Sequence, residues 1–96
     1  MDGVKYDQDK PQWHLMPFDQ LDMVAEVLTM GAKKYAPDNW RKVPDAKDRY
    51  LSAALRHLSA RAQGEWLDPE TGLPHTAHAI CCLMFLGHFD SKEVIE

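Results

Sequence analysis

The chain has 96 residues, 45% hydrophobic and 27% charged, which suits one folded domain and argues against disorder. Eleven Lys and Arg against fifteen Asp and Glu leave a net charge of −4. That balance disfavours duplex nucleic acid as a partner but leaves room for a small anion on a local cationic cluster. The longest apolar run, Ala79 to Leu86, has eight residues, far short of the roughly 20 that cross a bilayer, so no membrane partner is expected. The first residues, Met1-Asp2-Gly3-Val4-Lys5-Tyr6-Asp7, lack the basic start and apolar centre of a signal peptide. Cys81 and Cys82 are neighbours within the apolar run and read as small buried hydrophobes of a reducing compartment. The expected location is therefore cytoplasmic. A chain of this length buries only about 60–65% of its unfolded surface, so a homo-oligomeric partner would help the thin core.

Residues 1–17 contain Pro11 and Pro17 with Trp13 and Leu15 between them, and predict an extended arm pinned down by its aromatic residue. The first helix is expected at about 18–35. There Leu21, Val24, Leu28 and Tyr35 fall at helical spacing, with Met23, Val27 and Met30 as a second stripe beside them. So wide a stripe points to burial on more than one side. Pro37 stops this helix, and residues 36–47 form a loop by composition. A second helix is expected at about 46–63, with Asp45 as its cap and Leu51, Ala54, Leu55, Leu58 and Ala62 as its buried stripe. Gly64 ends it. After a loop with two Gly and two Pro, the third helix starts at Pro74 and runs to about Phe89. It is apolar all round and should be central. No segment alternates as a strand would. The fold class is all-α, a small three- to four-helix bundle expected to be completed by dimerisation, within a single domain over residues 1–96.

Chemistry concentrates in four places. His75 and His78 are three apart on the third helix, so both imidazoles point into one volume, in a stripe continued by Cys82, Phe85 and Phe89. Imidazole ligates transition metals and donates to phosphate; the alternative is two core histidines bonded to a carbonyl or a carboxylate. On the second helix, Arg56, His57 and Arg61 would lie near the start of the third helix in an antiparallel bundle. Guanidinium forks suit phosphate, although the same residues could form a solvated face. Glu65, Asp68 and Glu70 lie on the loop between, and carboxylate oxygens are what hard divalent cations seek. Lys33, Lys34, Tyr35, Asn39, Trp40, Arg41 and Lys42 mix cations, aromatics and an amide, as a nucleotide pocket would. Tyr35 and Trp40 could equally close the end of the bundle.

Together, several strings carry a resemblance: Lys5-Tyr6-Asp7 with Lys10-Pro11, Val27 to Tyr35, Asn39-Trp40, Leu55-Arg56-His57-Leu58, Gly64-Glu65, Asp68 to Gly72, His75 and His78-Ala79. Over about residues 5–88 the chain resembles a phage and prophage family described as the N-terminal domain of dATP/dGTP diphosphohydrolase. The resemblance implies an all-α enzyme related to the MazG-like pyrophosphohydrolases, which release pyrophosphate from nucleoside triphosphates with Mg²⁺ or Mn²⁺. It also implies action inside a phage-infected host cell. In that larger group one helix carries Glu-x-x-Asp; here the comparable spacing is His75-x-x-His78, and histidines suit a softer metal such as Zn²⁺ or Fe.

The expected partner is thus a small-molecule nucleotide. On the enzyme reading, Glu65, Glu70 and His57 are catalytic candidates, and His75, His78 and Asp68 are metal ligands. Lys33, Lys34, Tyr35, Asn39, Trp40, Arg56 and Arg61 bind substrate. Two alternatives stay open. One is a phosphohydrolase whose metal is held by His57, His75 and His78 with Asp68. The other is a binder that sequesters a nucleotide without cleaving it.

Overall fold

The computed structural model describes residues 2–95, with side chains as far as Lys92; Met1 and Glu96, the ends of the expected domain, lie outside the described residues. Three helices, α1 (Phe18–Lys34), α2 (Ala46–Ala62) and α3 (His75–Ile95), make an all-α domain. Among the described residues the only β pairing is an isolated bridge between Leu67 and Pro74. Among the described residues no helix is long and apolar enough to cross a membrane.

Each helix boundary follows from local chemistry. Pro17 opens α1 with its carbonyl, which accepts from the amides of Gln20 and Leu21 at 3.0 and 3.1 Å. The α2 C-terminus closes on Gly64, whose φ of 99° places it where only glycine is comfortable. There Gly64 N–H donates to Arg61 O, and Glu65 N–H donates to Ala60 O, both at 3.0 Å. This paired closure is the Schellman motif, and it fixes the direction in which Glu65 leaves the helix. Asp45 does not cap α2 through its side chain as expected. It adopts a left-handed conformation at φ 54° and offers its carbonyl to the Arg49 amide instead; aspartate tolerates that conformation better than most residues.

α2 and α3 run antiparallel, and α3 also packs on α1. Val24, Ala77 and Cys81 form the small buried core between α1 and α3, with Val27, Leu28 and Phe85 against it. At the other end Trp40, on a 3-10 turn over Asn39–Lys42, stacks on Phe85 with centroids 4.5 Å apart. Tyr50 meets the same ring edge-on and donates its hydroxyl proton to the Trp40 carbonyl at 2.9 Å.

Three expectations about packing are corrected. The buried side of α2 carries Ala46 and Ala54, with Tyr50 and His57 half-buried; Leu51, Leu55 and Leu58 are exposed and so is Ala62. Periodicity finds an apolar stripe but does not say what lies opposite it. α3 is central, yet Ile80, Leu83 and Met84 on one of its faces stay exposed. Trp13 does not anchor the arm: it is 68% exposed, because residues 2–17 lie outside the helical packing. α3 also continues past Phe89 to Ile95.

Candidate functional site

The Schellman closure of α2 leads into a tight loop that returns the chain to the start of α3. Asp68 organises it. Its Oδ1 accepts from the amides of Glu70 and Thr71 at 2.7 and 3.2 Å. Its own amide donates to Leu73 O at 2.8 Å, and its carbonyl accepts from Gly72 N–H at 2.7 Å. Gly72 has φ 74°, the conformation that lets the loop turn so sharply. The His75 amide then donates to Trp66 O at 2.9 Å, which seats the first turn of α3 against the loop.

With Oδ1 held by backbone, Asp68 Oδ2 is left to face two imidazoles. It lies 3.7 Å from His57 Nδ1 and 4.0 Å from His75 Nδ1, and the two ring nitrogens are 2.9 Å apart. On its far side His75 Nε2 meets Glu65 Oε1 at 2.6 Å. A carboxylate can only accept there, so Nε2 carries a proton, and the ring nitrogen left to act as a ligand is Nδ1. Two ring nitrogens at such a separation share either one proton or one cation. Three separations of 2.9, 3.7 and 4.0 Å leave a point about 2.1 Å from all three atoms, the length of a metal–imidazole bond. The set of two imidazoles and one carboxylate, with a second carboxylate behind one imidazole, therefore fits a borderline transition metal such as Zn²⁺, Fe or Mn²⁺.

The electrostatics agree. Burial, and then the neighbouring His78, push the His57 pKa down, so its imidazole is neutral near pH 7. Burial works against charge on Asp68, but the Glu70 and Thr71 amides, with His78 and His57, outweigh it and keep the carboxyl below its ordinary value. Ligand atoms in those protonation states are ready to bind a cation. The cysteines are not. Burial pushes the Cys81 thiol up to about 12, and Cys81 Sγ donates to Val24 O at 3.5 Å. Cys82 is raised by burial as well.

His78 stands beside the triad. Its ring stacks on His57 with centroids 4.6 Å apart and planes 9° from parallel, and its Nε2 meets Thr71 Oγ1 at 2.7 Å. Thr71 thus shapes the site although its chemistry does not announce it; the Asp-x-x-Thr-Gly turn pattern over Asp68–Gly72 was the available signal. Burial lowers the pKa of His78 too.

The triad opens onto a groove of about 1380 Å³ between α1, α2 and α3, whose lining includes His57, Asp68, His78, Arg56, Lys34 and Tyr35. Glu70 and Asn39 also line it, and Glu70 pairs with Lys34 at 3.1 Å. Arg56 donates from its guanidinium to Ser52 Oγ at 3.0 Å. Trp40 borders the groove, but Phe85 covers one ring face and the Arg41 guanidinium lies 4.4 Å from the ring. Tyr35, 64% exposed, keeps an open face with Lys34 Nζ 5.2 Å from its centroid. Lys33 and Arg61 are exposed and do not line the groove; His75 is the buried member of the triad, and Glu65 sits behind it on Nε2.

A family model described as dATP/dGTP diphosphohydrolase, N-terminal, matches residues 1–95. The chain is similar to the dATP/dGTP diphosphohydrolase of Salmonella phage PMBT28, with 38% identity over 86 residues. That alignment covers 90% of this chain and 29% of the phage protein, so the chain spans under a third of that relative's length. No solved structure matches it. From the arm through α3, the chain belongs to the dATP/dGTP diphosphohydrolase N-terminal family.

Proposed function

We propose that the chain binds a deoxynucleoside triphosphate in the groove and hydrolyses it to the monophosphate and pyrophosphate, with a divalent metal at His57, His75 and Asp68. The observation that carries the reading is the triangle of His57 Nδ1, His75 Nδ1 and Asp68 Oδ2, whose separations suit one cation. The name of the phage relative supplies the substrate class, since that protein is a dATP/dGTP diphosphohydrolase. A metal held there would act as a Lewis acid toward phosphate oxygens. The rest is the work of this chain's own side chains. Arg56 offers a planar fork to the phosphates, and Lys34 adds a point charge once it exchanges Glu70 for substrate. Tyr35 presents an open ring on which a base can stack. Glu65 holds the His75 tautomer rather than reaching substrate. His78, neutral and held by Thr71, is the group placed to accept a proton from attacking water.

In the balanced reaction water adds to the α-phosphorus, the bond from that phosphorus to the bridging oxygen breaks, and pyrophosphate leaves with the electron pair. The substrate pool is cytoplasmic, and there the protein is proposed to act.

The test is incubation of the metal-free chain with dATP or dGTP, followed by addition of Mn²⁺, Zn²⁺, Fe²⁺ or Mg²⁺ and chromatography of the products. Deoxynucleoside monophosphate and pyrophosphate should form only with metal, and His75→Ala should abolish them. If the folded, metal-loaded protein returns the nucleotide intact, hydrolysis is wrong; tight binding in that experiment would assign sequestration instead.

A further inference from the structure

The end of the groove away from the triad is built by a turn that closes on a side chain without a partner. Asn39 N–H donates to Ala36 O at 3.2 Å, so Ala36 to Asn39 is a β-turn. Pro37 takes its second position, where a fixed φ is favoured. Asp38 follows at φ 61° and ψ 15°, the left-handed conformation of a type II turn. Such a turn keeps its first and last Cα within about 7 Å, so Asn39 returns to the neighbourhood of Tyr35, and both line the groove. Asn39 is fixed from behind: Trp40 stacks on Phe85, and the Trp40 carbonyl accepts from the Tyr50 hydroxyl.

Three hydroxyls that line the groove are engaged. Tyr50 donates to Trp40 O, Ser52 Oγ accepts from Arg56, and Thr71 Oγ1 meets His78. Asn39 is half-buried, yet its side-chain amide makes no hydrogen bond among the described residues. It therefore offers one free donor group and one free acceptor beside the open ring of Tyr35. Its place along the groove suits a base. Phe85, under Trp40, lies seven residues along α3 from His78, which is about 10 Å. That is the span from an α-phosphorus across the sugar to the outer edge of a base.

We propose, resting on the reading of the groove as a deoxynucleotide site, that Asn39 selects purines by their N7 atom. Nδ2–H donates to that nitrogen, an acceptor that adenine and guanine share and that neither pyrimidine has. Oδ1 then faces the 6-position, where the adenine amino group donates to it; guanine offers an acceptor there and keeps the N7 bond alone. Tyr35 supplies stacking, which every base can take, so selection falls to the amide.

The test pairs a ligand atom with the residue. dATP and 7-deaza-dATP, in which carbon replaces N7, are compared in Mn²⁺ on the wild-type chain, Asn39→Leu and Asn39→Asp. The comparison is read as kcat/KM where turnover occurs and as Kd where the nucleotide is recovered intact. Wild type should favour dATP by about 3- to 10-fold, the range of one neutral hydrogen bond. Both variants should bring the ratio within twofold, because neither presents an N–H at that place. A general loss of binding lowers both nucleotides alike and leaves the ratio untouched. The Tm of Asn39→Leu should match wild type, since no internal bond is lost. A wild-type chain indifferent to N7, or a preference that survives both variants, would overturn the role of Asn39 and leave the nucleotide reading standing. A chain that neither binds nor cleaves dATP would remove both.

Discussion

Asp68 does two jobs with its two oxygens, and Asp68→Asn separates them. An amide oxygen in place of Oδ1 still accepts from the Glu70 and Thr71 amides, so the loop keeps its turn. In place of Oδ2 the variant puts an NH₂ group toward His57 and His75, which can donate to a ring nitrogen but cannot ligate a cation. Hydrogen bonds to a charged acceptor are worth about 1.5–3 kcal/mol and neutral ones about 0.5–1.5. Two such exchanges therefore cost about 2–3 kcal/mol of stability, and less after allowing for exposure at the loop surface. Asp68→Ala removes both bonds and should cost more, about 3–6 kcal/mol before the same allowance. Metal affinity should divide differently. Altering a carboxylate behind a ligand already costs about 10–100-fold, so losing one ligand of three should cost at least about 100-fold, equally in both variants. Isothermal titration with Mn²⁺ or Zn²⁺, paired with urea unfolding in chelator, reads the two quantities on the same samples. Asp68→Asn that unfolds like Asp68→Ala yet binds metal like wild type would refute the assignment of Oδ2 to a cation.

Glu65→Gln should weaken metal binding about 10–100-fold, because the amide holds His75 Nε2–H without the carboxylate's charge, with little change in urea midpoint since Glu65 is half exposed. Arg56→Ala should raise KM for dATP about tenfold, as loss of roughly 1.4 kcal/mol of phosphate binding implies, while Arg61→Ala should leave KM within twofold. Trp40→Ala should cost about 3–5 kcal/mol in thermal unfolding through lost contact with Phe85, whereas Tyr35→Ala should spare Tm and weaken nucleotide binding. In chelator, stability should fall with acid. His57 and His78 titrate below 6.5 when folded, so the unfolded chain binds more protons in that range. Their contribution is complete above pH 6.5 and is lost as pH falls through the depressed folded values. Tm measured from pH 7.5 to 5.5 should drop, and the variant His57→Gln/His78→Gln should flatten the slope; a Tm that rises toward pH 5.5 would contradict the burial of these rings.

Pro17, Gly64 and Pro74 were enough to mark where helices begin or end, because a fixed φ, a missing N–H or a positive φ acts locally, whatever surrounds it. In the same way, three-residue spacing puts His75 and His78 on one side of α3, and the short loop brings Glu65 and Asp68 back to them. What periodicity leaves open is the identity of the neighbour. Leu51, Leu55 and Leu58 form as regular a stripe as a core face, yet the chain turns Ala46, Tyr50, Ala54 and His57 inward, because α3 offers His75, Cys82 and Phe85 to meet them. The pairing of His57 with His75, and the diversion of His78 to Thr71, depend on where the Asp68 turn sets the first turn of α3 relative to α2. Local propensity acts over a few bonds and is written along the chain. The position of one imidazole relative to another 18 residues away is set by the packing of two helices and a loop, and no single segment encodes it.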